Sequence, residues 1–142
     1  MEGKFKPSTS VLCDDVRRED NGKYILLGVY TGGINFDAPF PVRKRGLFVF
    51  SLGQVSSKRI EMAFRVRHKN SGEVALNGEV KLEMRSNVNP ELADGRNLPI
   101  ELAFPISPIE FHLGGKYAAQ YKDGSGRWKT LLEFDVTGRE PA

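Results

Sequence analysis

The amino-acid sequence predicts an all-β protein: an antiparallel two-sheet sandwich, immunoglobulin-like, with about eight strands. Three observations carry that expectation. Apolar side chains recur with period two, most clearly in Ile60, Met62, Phe64 and Val66, which is the repeat of a strand with one buried face. Fifteen glycines and eight prolines in 142 residues supply frequent chain reversals and favour short strands over long helices. No segment sustains the 3.6-residue apolar period of an amphipathic helix.

In chain order, residues 1–8 are expected as a loose end and residues 9–137 as one sandwich domain, with 138–142 loose again. Thr9 to Val16 forms the first strand and Asn21-Gly22 its turn. Lys23 to Tyr30 returns as a nearly unbroken apolar run, which reads as a strand buried on both faces. A long connection follows from Thr31 to Arg45, and Gly46 to Leu52 is the next strand. Arg59–Lys69 and Glu73–Arg85 alternate across Asn70-Ser71-Gly72 as a long hairpin, with Gly78 at a bulge. Ser86 to Leu98 reads as a loop with one helical turn near Pro90–Ala93. Pro105 and Pro108 interrupt the extended stretch Pro99–Leu113, as at an edge or in a strand that changes sheets. A last hairpin runs from Lys116 to Val136 around Asp123-Gly124-Ser125-Gly126. Its Gly115-Lys116-Tyr117 start matches the closing hairpin of immunoglobulin-like sandwiches, where a tyrosine packs near the strand start.

The opening carries a further pattern: Cys13-Asp14-Asp15-Val16-Arg17-Arg18-Glu19, then Gly22-Lys23, then Leu27-Gly28-Val29-Tyr30. It resembles a family of small uncharacterised bacterial proteins that begin in this way. Pro39, Pro41 and Gly115-Lys116-Tyr117 extend the similarity along the chain. The resemblance implies a β-sandwich of unknown function and brings no activity with it.

Composition narrows the function classes. Hydrophobic residues at 39% and charged residues at 27% suit a folded globular chain and exclude a disordered one. The net charge of +3 is mild beside that of dedicated nucleic-acid-binding domains. One cysteine, Cys13, permits no intrachain disulfide, as expected in a reducing compartment. Met1–Pro7 holds no apolar signal segment and no apolar run approaches a membrane span. A cytoplasmic protein without membrane contact is therefore expected. Cys13 follows Val11 and Leu12 and reads as a buried small hydrophobe. His68 lies between Arg67 and Lys69 and reads as a surface residue. Neither it nor His112 sits in a catalytic motif, so no enzyme and no cofactor is expected.

Two places remain for binding. Asp14, Asp15, Arg17, Arg18 and Glu19 form either an ion-pair network fixing the first hairpin or a metal or anion site. Calcium would suit the paired aspartates, with Asp37 and Asp123 as further oxygen donors. The alternating signs favour the network. The Thr31–Arg45 connection is long enough to suggest function. Phe36, Phe40 and Val42, beside Arg43, Lys44 and Arg45, form either an exposed contact patch or a cap on the core. A protein partner or a second copy of the chain is the expected occupant. Nucleic acid is the weaker alternative, on the face carrying Arg65, Arg67 and Lys69. Phe64 points away from that face, Glu61, Glu79 and Glu83 interrupt its charge, and Trp128 is assigned to the core with Tyr117, Tyr121 and Phe134.

Overall fold

The computed structural model describes residues 4–57, 59–83, 98–124 and 126–139. Among them it has eleven strands and no helix. These are β1 (Phe5–Arg18), β2 (Tyr24–Tyr30), β3 (Gly33–Asn35), β4 (Val42–Lys44), β5 (Phe48–Val55) and β6 (Arg59–His68), followed by β7 (Val74–Glu83), β8 (Leu98–Pro105), β9 (Ile109–Phe111), β10 (Gly115–Asp123) and β11 (Lys129–Thr137). The count exceeds the expected one because β3, β4 and β9 are three-residue strands, too short to leave a pattern in the sequence. Of the loop expected over Ser86–Leu98, residues 86–97 lie outside the described residues, and Leu98 is the first residue of β8.

A four-stranded sheet has the order β2-β1-β5-β8, and a five-stranded sheet the order β3-β11-β10-β6-β7. All pairs are antiparallel except β3, which runs parallel to β11. Strands β4 and β9 form a separate two-stranded piece. The Pro105–Pro108 interruption thus marks a change of sheet, from β8 to β9.

The sheets pack face to face around one apolar core. On β6 the alternation holds throughout: Ile60, Met62, Phe64, Val66 and also His68 are buried. His68 is therefore not a surface residue. Its position continues the inward parity of Val66, and its ring nitrogens lie 2.8 Å from Ser71 Oγ and 3.0 Å from the Gly114 carbonyl. Aromatic rings bridge the two sheets. Phe104 of β8 meets Phe5 of β1 at 6.3 Å and Phe64 of β6 at 5.8 Å, and Phe5 meets Tyr121 of β10 at 5.4 Å. Each ring buries a large apolar area, and tilted or edge-on contacts of this kind are their favoured geometry. The Tyr117 hydroxyl donates to the Leu113 carbonyl at 2.6 Å, closing the corner into β10.

Three local expectations change. The first strand starts at Phe5 rather than Thr9, because Phe5 is a core residue and its amide donates to Asp123 Oδ2 at 2.7 Å. Gly78 is not at a bulge. It pairs in register with Phe64, and a Cβ there would meet the Phe64 ring at 2.5 Å. The glycine makes room for an aromatic ring from the neighbouring strand, and the register shift lies instead between Val66 and Arg67. Strand β2 is not buried on both faces. It is an edge strand, paired only with β1 among the described residues, and Ile25, Leu27 and Val29 are 39%, 39% and 48% exposed.

Candidate functional site

The Thr31–Arg45 connection resolves in favour of the core. Val42 is buried, and Phe36 and Phe40 are half-buried against the core cluster. Phe36 packs on Phe111 at 6.0 Å. The ring of Phe40 lies against Gly114 and Gly138, where a Cβ would meet it at 3.1 and 2.8 Å. Backbone bonds fasten the segment down, from the Phe36 amide to the Thr137 carbonyl and from the Arg139 amide to the Ala38 carbonyl. Phe36, Phe40 and Val42 thus cap one end of the sandwich and do not form an exposed contact patch. The second of these backbone bonds is made by Arg139, within the 138–142 end expected to be loose. Of the basic cluster, Arg43 faces Glu110 at 3.5 Å in an exposed pair, of a kind worth ~0–1 kcal/mol. Arg45 is exposed.

Lys44 takes a different course. Its ammonium lies 2.9 Å from Asp14 Oδ1, and the Tyr30 hydroxyl donates to the same oxygen at 2.5 Å. The structure therefore joins a residue of the long connection to one of the opening hairpin. Burial raises the Asp14 carboxyl, but the Tyr30 and Lys44 bonds outweigh it and hold the group below its ordinary value. The bond to Asp14 in turn raises Lys44 against the effect of burial. Burial, with the hydrogen bond to Asp14, raises the Tyr30 phenol.

Gly28 makes this cluster possible. Its φ is +66°, in the left-handed region that β-carbon sterics disfavour. A Cβ at this position would fall on the Asp14 carboxylate. The Leu-Gly-Val-Tyr run of β2 thus combines a backbone exception, room for a carboxylate and the tyrosine that binds it.

The remaining acidic residues do not gather with Asp14. Asp15 bonds Arg17 at 3.2 Å and the Val16 amide at 2.9 Å. Arg18 and Glu19 are exposed at the hairpin end and enter no ion pair among the described residues. Asp37 lies 3.5 Å from Arg139, at the capped end. Asp123 is held at the start of β1 by the Phe5 amide, nine residues from Asp14, or about 30 Å along an extended strand. Among the described residues no three histidine, cysteine or carboxylate side chains are placed to hold a metal ion. Each carboxylate has a cation partner, Lys44 at Asp14 and Arg17 at Asp15, and Asp14 has the Tyr30 hydroxyl as well, which is the ion-pair arrangement that the alternating charges favour.

A model of a family of unknown function, DUF6941, matches residues 8–136. The chain belongs to this family. The match runs from the first strand to the last, well beyond the opening and closing segments that carry the resemblance, and DUF6941 has no assigned activity. No curated protein matches the chain. Among the described residues of this DUF6941 domain, no helix is long and apolar enough to cross a membrane.

The Asp14 cluster makes a pH-dependent prediction. An Asp14→Asn variant keeps the shape and loses the charge. Because the folded carboxyl lies below its ordinary value, its charge stabilises the fold above the unfolded value of about 3.9 and ceases to do so as pH falls through the lowered folded value. The wild-type minus D14N difference in Tm is expected to hold steady from neutral to mildly acidic pH and to close below about pH 4. A difference that persists unchanged in stronger acid contradicts the charge-based account of the cluster.

Proposed function

We propose that this DUF6941 chain is a non-enzymatic binding and assembly module that self-associates through the free edge of β2. The observation that carries the reading is a strand, Tyr24–Tyr30, whose edge away from β1 has no partner among the described residues; it has no charged residue and no proline and presents Ile25, Leu27 and Val29 to solvent. Exposed edges template further strand pairing, and charge, proline or brevity normally blunts them. The other edges carry such devices. Strand β7 bears Glu79 and Lys81, β8 bears Pro99, Glu101 and Pro105, and β3 has three residues.

A second copy is the favoured occupant because antiparallel edge pairing is self-complementary about a twofold axis. Another protein with a free strand is the alternative. Three side chains and one backbone ladder fall short of the roughly 800 Å² per partner of a standard interface, so the pairing is weak and concentration-dependent.

The non-enzymatic part of the reading is supported by the state of Cys13 and His68. Cys13 is fully buried, and burial together with Asp14 and Asp15 raises its thiol, the reverse of an activated nucleophile. His68 lies in the other sheet and is already engaged by Ser71 and Gly114. A buried, unpaired cysteine suits a reducing compartment such as the cytoplasm. The Tyr117–Leu113 bond supports an immunoglobulin-like reading of the sandwich, since it reproduces the tyrosine corner of those domains.

Light scattering after size exclusion tests the reading across a range of loading concentrations. The wild type is expected to rise toward twice the chain mass, and Leu27→Lys to stay at one chain mass at every concentration. A wild type of single-chain mass throughout, or an L27K variant that still dimerises, overturns it.

A further inference from the structure

The outer face of the five-stranded sheet holds the chain's single tryptophan, and the indole is not in the core. The register shift between Ala119 and Gln120 explains why. Ala119 pairs with Leu132 and Gln120 with Thr130, so Leu131 is an extra residue in β11. An extra residue reverses the facing of everything before it. Thr130 and Trp128 thereby turn outward with Gln120, while Phe134 and Val136 remain buried.

Cations surround the ring. The Arg65 guanidinium lies 4.2 Å from the indole centroid and its Nε donates to Gln120 Oε1 at 2.8 Å. Lys122 Nζ is 5.9 Å from the same centroid. Arg67 follows two residues along β6, on the same face as Arg65 and about 6.8 Å further on. Arg127 and Lys129 flank the tryptophan in sequence and are exposed, the ammonium of Lys129 lying over the Tyr121 ring rather than the indole. Of the ion pairs on this sheet among the described residues, Arg59 takes Glu61 and Lys69 takes Glu133. Arg65, Arg67 and Lys122 take part in none.

An open cleft of about 320 Å³ lies beside the indole. It exists because Ala63 is the one small residue on the outer face of β6, flanked in register by Lys122 on β10 and Glu79 on β7. Glu61, Glu79 and Lys81 line its far side. Of the groups that line the cleft, Glu61 and Glu79 lie with Lys81 on the β6–β7 side, and Lys122 and the indole lie on the β10 side.

From this arrangement we infer that the outer face of β6 and β10 binds single-stranded nucleic acid. A base extends the Arg65–Trp128 stack, and the phosphates run along Arg67, Arg65 and Lys122. Every base has a π-face that an aromatic ring or guanidinium plane can accept, and a row of cations tracks the backbone, so recognition requires no particular sequence. Glu61 and Glu79 repel the phosphates and confine the strand to the β10 side. The site is independent of the β2 edge, which belongs to the other sheet.

The experiment titrates the full chain with oligo-dT at low salt and follows intrinsic tryptophan fluorescence, which reports Trp128 alone. Saturable quenching is expected, weakening steeply with added salt. Trp128→Ala, followed with a fluorescein-labelled oligonucleotide, should bind about tenfold more weakly, as expected for the loss of one stacked base. The double charge reversal R67E/K122E should abolish binding, while R43E/R45E on the capped end and L27K on β2 retain it. Far-UV circular dichroism checks that each variant is folded. Absence of binding by the folded wild type overturns the inference. So does equal binding by R67E/K122E. Heparin binding with no response to oligo-dT also overturns it, reducing the face to a general polyanion surface.

Discussion

Phe104→Ala is expected to cost about 3–5 kcal/mol, the usual penalty for emptying a fully buried aromatic site. Phe104 is 1% exposed and touches Phe5 of β1 and Phe64 of β6. It therefore joins two strands of its own sheet to one of the facing sheet. Deleting the ring leaves a cavity between two rigid layers, which close over it poorly because each is fixed by its own ladder. Against a typical total stability of ~5–15 kcal/mol, the loss removes a large share. Urea unfolding at equilibrium measures it as a lower midpoint with little change in slope. A cost below ~1 kcal/mol contradicts the packing described between the sheets. Phe36→Ala serves as the comparison. Phe36 is half-buried and rests mainly on the core from outside, so its cost should be clearly smaller.

Gly28→Val is expected to be the most damaging substitution outside the core. A β-branched residue at a φ of +66° is strained by about 1–3 kcal/mol. Its side chain would also displace the Asp14 carboxylate, parting it from Tyr30 and Lys44. The two effects separate in a double-mutant cycle with Asp14→Ala. In the D14A background only the backbone strain remains, so the valine should cost less there than in the wild type. Equal costs in both backgrounds would mean that the carboxylate plays no part in the requirement for glycine.

Much of the fold was legible in the sequence, and the exceptions have definite physical sources. Period-two alternation placed Ile60, Met62, Phe64 and Val66 correctly because β6 is central and its partners hold a regular register. The same parity, carried one step further, would have placed His68 inside. Its charged neighbours, Arg67 and Lys69, are a weaker guide than its position. Trp128 reads as a core residue with Phe134, but a bulge lies between them in β11, which reverses facing and leaves no mark in composition. The apolar run of β2 was ambiguous, since a doubly buried strand and an adhesive edge are written with the same residues. Only the strand order distinguishes them.

The site was less legible than the fold. Asp14 and Lys44 were each singled out, but their pairing across thirty residues of sequence depends on how the long connection folds back over the hairpin. The aromatics of that connection could serve as a patch or as a cap. The small strands β3 and β4, which fix them as a cap, are too short to register as patterns.

The edge-pairing reading is tested most directly by hydrogen exchange of the β2 amides at two protein concentrations. If copies pair along β2, the outward-pointing amides within Tyr24–Tyr30 exchange slowly in concentrated solution and quickly in dilute solution, while amides in the central strands β6 and β10 remain protected in both. Outward β2 amides that exchange quickly at every concentration, or concentration-dependent protection confined to another edge, contradict it.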